Sequence, residues 1–516
     1  MQESPPEQFN WSIVLVIIMG TFMAILVSSS VNVALPTMMA LFAVNAGQAQ
    51  WILTAYMLAM GVVMPMTGFL GDRFGYKRVY CLALALFTLG SLLCGLAWNL
   101  PVLIICRVIQ AIGGGIMQPL GMAIIYREYP RNKIGMVMGV YGIAAMAAPA
   151  IGPTLGGYIV EFFSWHWLFF INVPIGILSL LFAERTLHET PRNPNHQLDL
   201  VGMLTISGGL FCLLFVLANA NRYGWGSPII VGLSFLALVL LVIMVINEMQ
   251  HPEPIIDLSL LKDRTFTISL VLGGILAIGM FGGTFLVPLY LQNILGESAF
   301  SAGLIMFPSA LASGIMMPIA GKIFDKWGAK WVSVIGLALI TLGTYEMSKY
   351  TVLTPFVVIA WLMVMRGVGM GLSMMPITTA GMSNISIAKL GRATSLANVF
   401  RQVAGAFGVA MFTTVLQHQQ VVHYANSVAN VNAAALSNLH STLGNALPDS
   451  LVFGLVAQRV NLLAFMQAID DCFFMATLIC LLGMGLAFFI NERKHAVLPT
   501  VNNSVPVETQ PTVVKA

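Results

Sequence analysis

Charge is what this sequence has least of. Of 516 residues, 9% are Asp, Glu, Lys or Arg and 58% are hydrophobic, against roughly 25% charged in an ordinary soluble domain. A soluble chain of this length needs far more polar surface, so the bilayer is the implied solvent. The six cysteines, Cys81, Cys94, Cys106, Cys212, Cys472 and Cys480, all lie in apolar stretches without metal-ligand spacing. They read as small apolar fillers, which excludes a disulfide scaffold and gives no metal site. His418, His423 and His440 do not have ligand spacing either. "IAGKIF" offers a Gly-Lys pair but neither the earlier glycine nor the following Ser or Thr of a phosphate loop, so ATP hydrolysis is not expected. No catalytic triad stands out, and neither an enzyme nor a cofactor is implied. A net charge of +4 is too small to point to nucleic acid. The opening "MQESPPEQFN" has no basic region and no small-residue cleavage site, so the first apolar segment is expected to be retained.

What the sequence does have is apolar length. A spanning helix needs about 20 mostly apolar residues, and fourteen stretches qualify: 11–35, 48–70, 79–98, 102–125, 134–160, 167–183, 200–219, 229–247, 267–291, 302–321, 331–350, 355–381, 395–417 and 463–490. In hydrocarbon every backbone N–H and C=O must be paired within the segment, which makes helices the expected form. Orientation follows from the basic residues. With the N-terminus cytoplasmic, eighteen Lys and Arg fall on that side and three, Arg222, Lys349 and Arg459, on the other. Arg107, Arg366 and Arg401 lie within spans. The asymmetry places both termini in the cytoplasm.

The charged residues that remain are patterned. "GFLGDRFGYKR" (Gly68 to Arg78), between spans 2 and 3, shares G-x-x-x-D-[RK]-x-G with "GKIFDKWGAK" (Gly321 to Lys330), between spans 10 and 11. Asp72 and Asp325 are 253 positions apart. Arg107 of "RVIQAIGGG" in span 4 is likewise matched by Arg366 of "RGVGMG" in span 12, 259 positions on. Both pairs are eight spans apart, as two six-helix repeats separated by an inserted pair require. Parallel repeats of this kind are a feature of transporters that rock two bundles around a midplane site.

On these residues the chain resembles the major facilitator superfamily. The first loop is similar to its motif A, "LIICRVIQAIGGGIMQP" to motif B and "APAIGPTLGG" (Ala148 to Gly157) to the antiporter motif C. "NVALPTM" (Asn32 to Met38) ends span 1 as in the fourteen-helix drug:proton antiporters of the EmrB and QacA type. The resemblance implies an all-α membrane fold in a 6 + 2 + 6 arrangement. Its parts are an N-terminal bundle over 1–185, a linker with two inserted helices over 186–264, a C-terminal bundle over 265–490 and a cytoplasmic tail over 491–516. The long outer connection, 417–461, carries Leu436, Leu439 and Leu443 at helical spacing and is expected to hold a short amphipathic helix. The tail is polar with scattered Pro, a composition expected of disorder.

The resemblance also assigns roles. Gly68, Asp72, Arg73, Gly75, Lys77 and Arg78 would latch the two bundles at the cytoplasmic face, with Gly321, Asp325, Lys326 and Gly328 as the second-half counterpart. The glycines permit a tight turn and close helix approach, and Asp72 is suited to accept from a helix N-terminus or nearby guanidinium groups. Pro149, Gly152, Pro153, Gly156 and Gly157 in span 5 would seal the cavity against leak, small residues allowing close packing and prolines bending the segment. Ala148 stands where glycine is commoner. Arg107 is the candidate coupling or substrate contact, because an arginine in mid-span costs roughly 2.5–3.5 kcal/mol and faces a partner or a wet cavity. Gln110 and Gly113 share its motif, and Gln110 lies on nearly the same helix face.

One departure matters for chemistry. The family commonly has an aspartate in helix 1, five residues before the asparagine; here that position is Val27, and Ser28, Ser29 and Asn32 are the polar residues offered to a cavity. The proton would then be carried by Asp72, Glu346 or the Asp470/Asp471 pair, or the substrates would be neutral or anionic. Three functions follow. The first is proton-coupled export of lipophilic drugs across the cytoplasmic membrane, with a periplasmic EmrA-like adaptor where the host has two membranes. The second is transport of a defined neutral or anionic metabolite, and the third a non-transporting membrane sensor. Substrate-induced pH change in vesicles separates the first two, and binding without flux marks the third.

Overall fold

Polar residues mark where the apolar runs begin. Asn10, Asn99, Asp199, Ser227, Asp263 and Ser298 each stand just before a helix and accept a hydrogen bond from a backbone N–H two or three residues on. Each cap satisfies a donor that the helix start leaves open. The computed structural model describes residues 10–130, 133–190, 199–251, 254–430 and 449–490, and among them there is no strand. The first half contains α1 (Trp11–Phe42), α2 (Trp51–Phe74), α3 (Tyr76–Gly95), α4 (Leu100–Glu128), α5 (Ile134–Phe162) and α6 (Asn172–Thr186). The insert is α7 (Leu200–Tyr223) and α8 (Pro228–Gln250). The second half contains α9 (Arg264–Asn293), α10 (Ala299–Trp327), α11 (Ala329–Met347), α12 (Phe356–Ser383), α13 (Leu390–Asn430) and α14 (Asp449–Ala487).

Thirteen helices of the described residues are long and apolar enough to cross a membrane. The expected span at 331–350 is the helix α11, 19 residues long, which falls outside that set. Two expectations are corrected. The motif at Gly68 is not a loop: α2 runs through it to Phe74, Gly75 alone makes the turn with φ of 93°, and α3 starts at Tyr76. Its counterpart is built the same way, with Gly328 at φ of 82° between α10 and α11. At both glycines the positive φ is one that only glycine adopts without strain. The outer connection expected at 417–461 is also largely helix, since α13 continues to Asn430 and α14 begins at Asp449. Leu436, Leu439 and Leu443, and the tail 491–516, lie outside the described residues.

The halves repeat one packing scheme: α1 lies on α5 and α3 on α4 in the first, α9 on α13 and α11 on α12 in the second. Between halves, α5 packs on α10 and α2 on α13. One apolar core, with Tyr76, Leu120 and Tyr126 from the first half and Phe266, Met382 and Leu390 from the second, closes the end of the molecule that carries Asp72. Toward the opposite end the second half has its own cluster, around Tyr290, Met347 and Phe473. Within the insert, α7 touches both α2 and α13, and Asn221 Nδ2 donates to the Ala410 carbonyl at 3.2 Å. α8 lies outermost, with 17% of its most apolar window buried, as a lipid-facing helix should be.

Candidate functional site

The motif at Gly68 gathers its partners from both halves. Asp72 Oδ1 accepts from Tyr76 Oη at 2.9 Å and from Arg127 Nη2 at 3.2 Å, and its Oδ2 lies 3.8 Å from Arg392 Nε. The Arg127 guanidinium also covers the Tyr76 ring at 3.9 Å. The three charged side chains are 15–17% exposed, so little water competes and their hydrogen bonds are of the strong, charge-assisted kind. Beneath them the backbones of α2 and α13 touch: a Cβ built on Gly68 would lie 2.9 Å from Arg392 N, and one on Gly391 would run into Tyr76 Oη. Ser395 Oγ of α13 donates to the Met64 carbonyl of α2 at 2.6 Å. Among the other motif residues, Arg73 lies over Phe69 and Phe74, Lys77 is half-buried, and exposed Arg78 is 3.6 Å from Glu189.

The counterpart forms a second closure at the same end. A Cβ on Gly321 would collide with the Gly135 carbonyl, so α10 and the start of α5 cross at backbone contact. The Asp325 carboxylate takes the Gly135 and Met136 N–H groups at the positive end of α5. Lys326 is exposed. A linker contact reinforces this end: Asp257 and Lys389 pair at 2.6 Å.

Away from these closures lies a cavity of about 860 Å³ between the halves. Ser29, Asn32, Pro149 and Pro153 line it from the first half, and Gly279, Gly283, Gln292, Ser309, Ser313 and Arg366 from the second, amid Leu, Met and Phe. It reaches Gln292 and Asn293 at the far end of α9, opposite the closed end. Its floor is the α1–α5 seam. Ser30 Oγ donates to the Gly152 carbonyl at 3.0 Å and Ser29 Oγ to that of Ala148 at 3.3 Å. A Cβ on Gly152 would strike Ser29, and one on Gly156 would lie 2.9 Å from the Ser30 carbonyl. Gly157 has ordinary space. Ser28 is half-buried and is not part of the cavity lining.

The two repeated arginines differ. Arg107 is fully buried inside the first bundle. Its Nη1 donates to Gln110 Oε1 at 2.7 Å and its Nε to the Ile52 carbonyl at 3.3 Å, while Tyr56 stacks on it at 4.0 Å. Gln110 passes the chain on to Ser91 at 2.7 Å, and Gly113 lets α4 approach α3 closely. Arg107 therefore does not reach the cavity. Arg366 does: its Nη2 donates to the Gly279 carbonyl at 2.9 Å, Nη1 has only the Met347 sulfur at 3.9 Å, and Nε is unpartnered.

Two halves closed at one end around a cavity that reaches the other is the arrangement of an alternating-access carrier, and residues 17–409 match the model of the Major Facilitator Superfamily. The chain belongs to that superfamily. The facilitator is 34% identical over 494 residues to the MFS-type transporter YhcA of Bacillus subtilis, covering 93% of each. To the multidrug export protein EmrB of Haemophilus influenzae it is 30% identical over 482 residues, 92% of this chain and 94% of that one. A solved proton:xylose symporter, XylE, superposes over 93% of this chain and 96% of its own, with a TM-score of 0.58 at 16% identity, a likeness of fold. The facilitator is thus a multi-pass membrane transporter and not an enzyme.

Several residues of this facilitator's site carried no motif signal. Tyr76, Arg127, Gly391 and Arg392 complete the Asp72 cluster. Tyr76 stands four residues after Asp72 but on the next helix, and the Gly75 turn brings its hydroxyl back to the carboxylate, a contact no local spacing announces. The acids are sorted by their surroundings. Glu346 pairs with Lys349 at 2.9 Å on the surface, and Asp471 meets His423 at 2.7 Å. Asp470 has a buried Oδ1 without a partner.

Proposed function

We propose that the protein exports small lipophilic molecules, coupled to proton entry, by alternating access of the cavity between α1–α6 and α9–α14. The observation that carries this reading is the cavity itself: apolar, adaptable in its Met and Phe lining, and closed off from the Asp72 end by both latches. The fourteen-span topology belongs to the same reading, with both termini and both latches cytoplasmic, so the state described is the outward-facing one. The EmrB relative, a multidrug export protein by name, supports drug-like substrates. Among the acids weighed as proton carriers, Asp470 is the best placed, because its unpartnered oxygen is buried in α14 beside Tyr290. α13, 41 residues long, would be about 60 Å from end to end, roughly twice the hydrocarbon thickness. Its outer part, tied to α14 by Gln420 and Asn461 at 3.0 Å, offers a docking place for a periplasmic adaptor in a two-membrane host.

The test is uptake of lipophilic fluorescent dyes into inside-out proteoliposomes with an acidic lumen. The reading expects uptake that collapses with the pH gradient, and an Asp470→Asn protein that binds dye but no longer responds to the gradient. Dye binding without gradient-dependent movement in the native protein would refute it.

A further inference from the structure

We infer that the cavity selects amphiphiles carrying an anionic oxygen group, a carboxylate or its like, which Arg366 receives. The inference deepens the export reading above and rests on taking this cavity as the transport site.

The argument comes from comparing the two repeats residue by residue. In the first, Arg107 is enclosed by its own bundle and, although its Nη2 has no partner, it faces no cavity: Gln110 supplies a neutral acceptor three residues on, and Tyr56 roofs the guanidinium. At the 259-residue offset of the arginines, Gln110 corresponds to Gly369. At the 253-residue offset of the aspartates, Tyr56 corresponds to Ser309. Both devices that enclose Arg107 are therefore missing around Arg366, and no side chain can be added at Gly369, whose Cβ would sit 2.5 Å from the Gly336 carbonyl. Gly283 removes a further obstacle, since a Cβ there would collide with Arg366 Nη1. What remains is a guanidinium with a buried, unpartnered Nε and a poorly engaged Nη1 on a cavity wall.

Among the described lining residues no acid answers its charge. The described lining residues include no Asp, Glu or His; Ser309 and Ser313 line the same cavity, the latter with an unpartnered buried hydroxyl, and Tyr350, also with an unpartnered hydroxyl, stands near the arginine. A cation in an apolar, acid-free chamber favours an anion there and disfavours a second cation. The planar donor fork matches a carboxylate, which accepts two parallel hydrogen bonds from one guanidinium. The surrounding Met280, Phe285, Leu289 and Met306 suit the apolar body.

The experiment measures binding of dansyl-labelled undecanoic acid and of its methyl ester to purified protein near neutral pH. The acid:ester affinity ratio of the native protein is divided by that of Arg366→Met, so that micelle partitioning cancels. The expected result is a ratio at least tenfold higher in the native protein, partly retained by Arg366→Lys, with ester affinity nearly constant throughout. Ser309→Tyr, which restores the missing roof and keeps the arginine, should lower the ratio as well and decides the matter if Arg366→Met does not fold. Equal affinity for acid and ester in the native protein overturns the inference, as does a ratio unmoved by these variants. Gradient-driven flux of the ester separates the two readings. Pumped ester without acid preference defeats the anion site alone, whereas acid preference without any flux defeats export alone.

Discussion

Replacing Gly68 by alanine should unlatch the transporter without unfolding it. The added methyl would lie 2.9 Å from the Arg392 nitrogen and from the Gly391 carbonyl carbon, both main-chain atoms that no rotamer change can move aside. Overpacking of this kind costs about 1–3 kcal/mol. Gly68 is helical, so alanine also gains about 1 kcal/mol of helix propensity. That gain is shared by latched and unlatched states, because α2 stays a helix in both, and cancels from their ratio. Only the clash is differential, and about 1–3 kcal/mol moves the ratio roughly 5- to 150-fold toward the unlatched state. Gly391→Ala should act the same way and more strongly, since its methyl displaces the Tyr76 hydroxyl that bridges Asp72 and Arg127. Spin labels at exposed Phe74 and Ile387 would report the separation across the seam. The expected outcome is a new, longer distance population in both variants with melting temperatures no lower than native. A native distance distribution in Gly68→Ala refutes the latch as described.

Gly152→Ala should weaken the α1–α5 seam and raise passive leak of the cavity's contents, and Ser29→Gly in the same chain should largely restore sealing, because Ser29 is the group the methyl strikes. Leak measured in proteoliposomes that is equal in the single and double variants would speak against this contact. Arg107→Lys keeps the charge but loses the fork that reaches both Gln110 and Ile52. A lysine ammonium can keep one of the two charge-assisted bonds, so the loss is about 1.5–3 kcal/mol, read as a lower melting temperature with unchanged substrate affinity; altered affinity at native stability would contradict it. Burial alone would raise the Asp257 carboxyl, but hydrogen bonds from Lys389 and Ser259, with the Lys389 charge, outweigh it and hold the group below the usual carboxylate range. A folded-state pKa below the unfolded value of about 3.9 gives stability that is present above that value and lost as pH falls through the folded one. Amide exchange over residues 254–262 should therefore stay protected down to about pH 4 and rise below it. Loss of protection already between about pH 7 and 5 would show that another group titrates there.

The two charged motifs could be located in the sequence because a rare charge at fixed spacing, repeated, stands out against an apolar background. Asp72 and Asp325 announced themselves in that way, and the turns at Gly75 and Gly328 followed. The helical course of Gly68 to Phe74 was harder to read. Glycines at 68 and 71 have the composition of a turn, yet their use is to let Gly391 and Tyr76 come close, a demand set by chain more than three hundred positions away in the case of Gly391. Arg127 and Arg392 were visible only as basic residues of one membrane side, since ion pairing across the seam leaves no local pattern. The length of α13 was hidden because the segment beyond Gln417 is polar enough to leave the bilayer, and a hydropathy criterion stops where the lipid does rather than where the helix does.

The arginines show the same limit from the other side. Motif reasoning singled out Arg107 because a charge in mid-span is costly, by roughly 2.5–3.5 kcal/mol on insertion scales. The structure shows that this cost is met in part inside the bundle, by Gln110, Ile52 and the Tyr56 ring, with Nη2 left unpartnered. Cost alone therefore does not distinguish a structural guanidinium from a receiving one. The distinction lies in what the neighbouring repeat positions supply, and there the two halves diverge, with glutamine against Gly369 and tyrosine against Ser309. A duplicated arginine whose internal acceptor has become a glycine still has the same charge to satisfy. Facing a chamber whose described lining holds no acid, Arg366 differs from Arg107 less in the number of its bonds than in its place on a cavity wall, where an oxygen-bearing anion entering from outside would meet it.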